Sequence, residues 1–80
     1  MKKTNEEIMQ EIIALLTQIA DVEKDVFQPD NSMWNSLDSL MGLELSVKID
    51  RNYGVRLTKE DLTTCNTPRQ LAVLIHSKLN

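Results

Sequence analysis

Ile8, Ile12, Leu15, Leu16 and Ile19 recur at the three- and four-residue intervals that lay one apolar stripe along a helix. Such a stripe has to be buried against another element. The chain offers no convincing strand for that purpose, since Val55-Arg56-Leu57 is too short. This one feature therefore points to helix packed on helix. Thr4 with Glu7 three residues on forms a capping box at the start of the stripe. The spacing predicts a helix from about Asn5 to Ala20, with Glu6, Glu7 and Glu11 toward its N-terminal end, where the helix dipole favours acids.

The remaining elements follow from caps and breakers. Residues 21–37 carry no sustained period. They hold Pro29, then Asp30-Asn31-Ser32, with Val22, Val26, Phe27, Met33, Trp34 and Leu37 scattered among them. The apolar residues are expected to pin this long connection across the bundle, with Phe27 and Trp34 packed in the core. Asp38 is an N-cap for a second helix that starts at Ser39, runs to about Asn52 and stops at Gly54. Thr58 with Asp61 caps a short third helix of one or two turns. Thr67-Pro68 opens a last helix, with Leu71, Leu74, Ile75 and Leu79 on one face. The expected fold is all-α: a small bundle of three longer helices and one short one.

At 80 residues there is room for one small domain, spanning 1–80, with a thin core. A composition of 41% hydrophobic and 26% charged residues is that of a globular chain, not a disordered one. Most enzymes need a deeper cleft than such a core can wall, so a carrier, adaptor or binding module is the starting expectation. Twelve acids against nine bases give a net charge of −3, the wrong sign for nucleic acid. The basic start is not followed by the apolar stretch of a signal peptide, and no apolar run approaches the ~20 residues of a membrane span. The single Cys65 excludes an internal disulfide and suggests a reducing compartment. The expectation is a soluble cytoplasmic protein.

The second helix has one apolar face too many. Gly42, Leu45, Ile49 and Tyr53 form a stripe suited to the core, while Leu40, Leu43 and Val47 lie together on nearly the opposite side. Glu44, Lys48, Asp50 and Arg51 surround that second stripe. Either the 54–66 segment covers it, or it is a partner surface of three apolar anchors with a charged rim. Ser39 stands beside it at the helix N-terminus, where converging backbone N–H groups favour a phosphate.

Asp38-Ser39-Leu40 opens an amphipathic helix that ends in Tyr53-Gly54-Val55, an aromatic fourteen residues past the serine. The acidic turn Lys59-Glu60-Asp61 follows, and then Thr67-Pro68-Arg69-Gln70-Leu71 opens the last helix. This order of elements closely resembles the acyl carrier protein family over nearly the whole chain. The resemblance implies a carrier, not an enzyme. A phosphopantetheinyl transferase would esterify Ser39 from coenzyme A, and the resulting 4′-phosphopantetheine arm would hold an acyl group as a thioester. Acyl-loading, acyl-transfer or condensing enzymes would be the further partners of a free monomer, which would shelter part of its cargo between helices. Asp38 matches the family aspartate that helps position the transferase's metal and coenzyme A. Leu40, Leu43 and Val47 match apolar recognition positions, and Glu44 an acidic one.

Two departures narrow the expectation. Housekeeping fatty-acid carriers have a strongly acidic second helix, whereas here Lys48 and Arg51 balance Glu44 and Asp50, and Met41 stands where an acid is common. A neutral helix loses electrostatic steering, which favours a specialised carrier of a polyketide, lipid or other secondary pathway. Asn35-Ser36-Leu37 replaces the frequent Leu-Gly, and no Gly-Gly precedes Ser39, which makes a peptidyl carrier the lesser alternative. Ser36 also precedes a leucine, but the aromatic position would then fall on Asp50. An unmodified helical interaction module is the alternative from another class. Cys65 and His76 are eleven residues apart on different elements, which does not mark them as a catalytic pair, and the sequence pattern offers no ligand set for zinc.

Overall fold

The computed structural model describes residues 3–79, so Lys2 of the basic N-terminal pair lies outside the described residues. Among them there are four α-helices and no strand: α1 (Asn5–Ala20), α2 (Ser39–Tyr53), α3 (Lys59–Thr64) and α4 (Pro68–Leu79). Two 3₁₀ turns, Lys24–Val26 and Met33–Asn35, punctuate the long α1–α2 connection. The architecture is the expected bundle of three longer helices and one short one.

Each boundary has a local cause. Thr4 Oγ1 accepts the Glu7 N–H at 3.1 Å, and Glu7 Oε1 accepts the Thr4 N–H at 3.3 Å. Thr58 and Asp61 repeat this box on α3, with both bonds at 3.0 Å. Asp38 Oδ1 accepts the Met41 N–H at 2.9 Å, and Thr67 Oγ1 accepts the Gln70 N–H at 3.2 Å. α2 runs one residue past Asn52, through Tyr53, before Gly54 turns left-handed at φ 67. Glycine adopts that conformation without the clash a Cβ brings.

Ile8, Ile12 and Leu16 of α1 meet Leu45 and Ile49 of α2 and Leu71 and Ile75 of α4, all fully buried. α1 packs most extensively on α4 and next on α2. α3 buries no residue and makes only slight contact with the other helices. Phe27, Met33 and Leu37 enter the core and anchor the long connection as expected. Val22 and Val26 do not: both are exposed, Val26 standing outward while the adjacent Phe27 takes the inward position. Hydrogen bonds do the rest of the pinning. Met33 N–H donates to Asn66 O at 2.8 Å, and Arg69 N–H donates to Pro29 O at 3.1 Å, with its guanidinium on Asp30 at 2.8 Å. On α4, Leu71 and Ile75 are buried, whereas Leu79, the last residue of the helix, is exposed.

Tyr53, which the pattern places on the core stripe of the second helix, is half-buried. Its hydroxyl donates to Glu11 Oε1, joining the C-terminal end of α2 to α1. Lys3 Nζ binds both Glu11 oxygens at 2.7 and 2.8 Å and lies 5.5 Å from the centroid of the Tyr53 ring. The phenol therefore needs a polar partner as well as a packing one.

Candidate functional site

The N-terminus of α2 gathers the sequence's candidates. Asp38 is extended, at φ −101 and ψ 179, and caps the helix with its side chain while its carbonyl accepts the Gly42 N–H at 3.0 Å. Ser39, the first helical residue, is exposed. Ser36 is exposed too but closes the preceding 3₁₀ turn, its N–H donating to Met33 O at 3.2 Å. Only Ser39 of the two serines combines exposure with a helix N-terminus.

Ser39 also borders a groove of about 730 Å³ between α2, α3 and the second 3₁₀ turn. That size lies within the ~300–1,000 Å³ usual for small-molecule pockets. Of its lining, Trp34, Leu37 and Gly42 are buried or half-buried and form the inner side, Leu40 and Leu43 of α2 are exposed, and Leu57 and Leu62 come from the 54–66 segment. The space exists because α3 scarcely touches α2. The 54–66 segment thus supplies a facing wall but does not cover the second apolar stripe. Leu40 is 76% exposed, Leu43 59% and Val47 47%, with Glu44 exposed beside them.

The sequence pattern places Trp34 in the core and Gly42 on the core stripe, and marks neither as a groove residue. Trp34 does pack against the core, but it also lines the groove, and its Nε1–H donates to Cys65 O at 3.0 Å. A Cβ on Gly42 would stand 2.8 and 2.9 Å from Trp34 Cη2 and Cζ3. A glycine inside a helix, about 1 kcal/mol worse than alanine there, was the available signal of this close approach.

Cys65 is buried at the end of α3, and burial, with a smaller effect from the Asp61 charge, pushes its thiol up from the ordinary value. That is the environment of an inert cysteine, not a nucleophile. His76 lies in α4, on a different element.

An exposed hydroxyl at a helix N-terminus fits a phosphate ester, and the adjoining apolar groove fits an aliphatic chain. Residues 10–75 match the family model for the phosphopantetheine attachment site. Polyketide-8 synthase acyl carrier protein 2 of Streptomyces avermitilis is 35% identical over 67 residues, 84% of this chain and 67% of that one. The meromycolate extension acyl carrier protein of Mycobacterium leprae is 32% identical over 69 residues, again 84% of this chain but 60% of the relative's length. The anthracycline acyl carrier protein DpsG of Streptomyces peucetius is 40% identical over 43 residues, 54% of this chain and 51% of that one. The chain belongs to the acyl carrier protein family and is a non-catalytic carrier that bears covalent 4′-phosphopantetheine.

Proposed function

We propose that residues 1–80 act as one carrier domain whose arm is attached at Ser39, for a specialised pathway of the polyketide or lipid type. The observation that carries Ser39 is its position: exposed, first in α2, behind the Asp38 cap and on the edge of the apolar groove. Asp38 holds the first turn of α2 in register, so the amides of that turn favour the negative charge of a phosphodiester on Ser39 Oγ. When bound, the arm supplies a terminal thiol that carries acyl groups. The names of the relatives, which specify polyketide, meromycolate and anthracycline carriers, favour acyl over peptidyl cargo and a specialised over a housekeeping role.

The test is intact mass after incubation with coenzyme A and a broad-specificity phosphopantetheinyl transferase. The wild type and Ser36→Ala are expected to gain one phosphopantetheine unit, and Ser39→Ala none. Modification mapped to Ser36 would overturn the assignment.

Leu40, Leu43 and Val47 form the surface for the transferase and the acyl-loading, acyl-transfer or condensing enzymes. Its support is apolar exposure beside Ser39 together with the near-balance of Glu44, Lys48, Asp50 and Arg51. Exposed charges are screened over ~10 Å at 0.1 M salt, so a charge-read interface loses association rate steeply as salt rises, and an apolar one does not. Val47→Asp is expected to slow turnover with the cognate partner far more than Glu44→Gln, with wild-type rates nearly flat between low and moderate salt. A larger loss in Glu44→Gln, or a steep salt dependence, would make the interface electrostatic.

A further inference from the structure

Resting on Ser39 as the attachment residue, we infer that Trp34 sets the depth of the groove and thereby limits the length of acyl chain this carrier shelters. Trp34 lines the groove and packs against the core, so the indole separates the two. It is fixed from several sides. Its Nε1–H is held by Cys65 O at 3.0 Å, and the backbone beside it is held where Met33 N–H meets Asn66 O at 2.8 Å. Its six-membered ring lies so close to α2 that a Cβ on Gly42 would fall 2.8 Å from Cη2. No aliphatic chain passes between the ring and that helix. The opposite wall differs: α3 has no buried residue and only slight contact with the other helices. The groove therefore yields sideways at α3 and is closed at its inner end by Trp34.

A chain entering from the Ser39 end buries one methylene after another until it reaches the indole. Each buried methylene stabilises the folded state, because burial on the native protein has no counterpart in the unfolded chain. Beyond the indole, further methylenes stay in water or displace the ring. The chain-length dependence of stability should then level off, and removing the indole should move the levelling point to longer chains.

Trp34 is the protein's one tryptophan, so its fluorescence reports the contact directly. The experiment loads wild type, Trp34→Leu and Trp34→Phe with straight-chain acyl-phosphopantetheine from a series of acyl-coenzyme A donors of increasing length, with loading verified by intact mass and fold by circular dichroism. Expected in the wild type is a melting temperature that rises with chain length and then levels. Trp34 emission should shift to shorter wavelength, with reduced acrylamide quenching, at the length where levelling begins. Trp34→Leu is expected to level at longer chains, with Trp34→Phe between. No mass gain on the wild type overturns Ser39 and this inference together. Normal loading with emission insensitive to every chain overturns the role of Trp34 alone, and that wild-type readout stands even if Trp34→Leu does not fold. Levelling at the same length in the folded variants does the same.

Discussion

Two halves of this bundle are built from the same residue types and differ in how tightly they close. Along the seam of α1 and α4, Ile8, Ile12, Leu16, Leu71 and Ile75 are fully buried. Across the gap between α2 and α3, Leu40 and Leu43 are largely exposed and Leu57 and Leu62 only partly buried. The difference lies in length and reach. α1 has 16 residues and α4 has 12, enough turns to interlock, whereas α3 has 6 and buries none of them. A helix that short has little stability of its own and depends on what it packs against. The seam holds the fold, and the gap leaves an open groove beside Ser39.

The sharpest way to break this contrast is a pair of truncations. Ile12→Ala is expected to cost about 2–5 kcal/mol in urea unfolding, as buried aliphatic truncations do. Leu62→Ala should cost well under half of that. Equal losses would mean that α3 is as integral as α1.

The two capping boxes give a second, smaller comparison, because the same chemistry starts both helices. Thr4→Ala should lower global stability by about 1 kcal/mol. Thr58→Ala should speed amide exchange across α3 while leaving the global value within about 0.5 kcal/mol of wild type. A global loss as large as that of Thr4→Ala would refute the loose attachment of α3.

Gly42→Ala probes the groove's inner wall. In an unobstructed helix this change stabilises by about 1 kcal/mol. Against Trp34, 2.8 Å from the new Cβ, the gain is expected to vanish and to reappear when Trp34→Leu is already present. A full gain in the single variant would show that the indole moves aside freely.

The last comparison concerns the tie between α1 and α2. Burial, and then the hydrogen bond to Glu11, hold the Tyr53 phenol protonated well above its ordinary value of 10.0. A raised folded value means the contribution is complete below pH 10.0 and is lost as pH climbs past it. Tyr53→Phe should cost about 1 kcal/mol at neutral pH and remove this alkaline loss, measured as the difference between the two pH–stability curves. Glu11 has the opposite sign. The Lys3 hydrogen bonds, then that of Tyr53, hold its carboxyl below the ordinary 4.5, so its contribution is present above that value and fades as pH falls through the lower one.

What could be read from the sequence was what neighbouring residues decide. Thr4 with Glu7, Asp38 with Met41, Thr58 with Asp61 and Thr67 with Gln70 each close within one turn, so helix boundaries came out nearly right. The groove and the Tyr53 bond depend instead on residues far apart along the chain. Trp34 meets Cys65 across 31 positions, and Tyr53 meets Glu11 across 42. Periodicity assigns a residue to a face, but it does not say whether a helix as short as α3 reaches that face. That is why the sequence leaves Leu40 and Leu43 between two readings, while Val22 and Val26, in a connection with no sustained period, carry no signal of which way they face.

The burial of Cys65 has a practical consequence for thiol chemistry. It is the chain's one cysteine, 7% exposed, with ionisation suppressed by its surroundings and its carbonyl tied to Trp34. Thiolate, not thiol, is the reacting species. In the folded holo form the arm's own sulfur is therefore the fast-reacting one. A maleimide or disulfide reagent applied to native protein counts arms, and the same reagent in denaturant counts arms plus one.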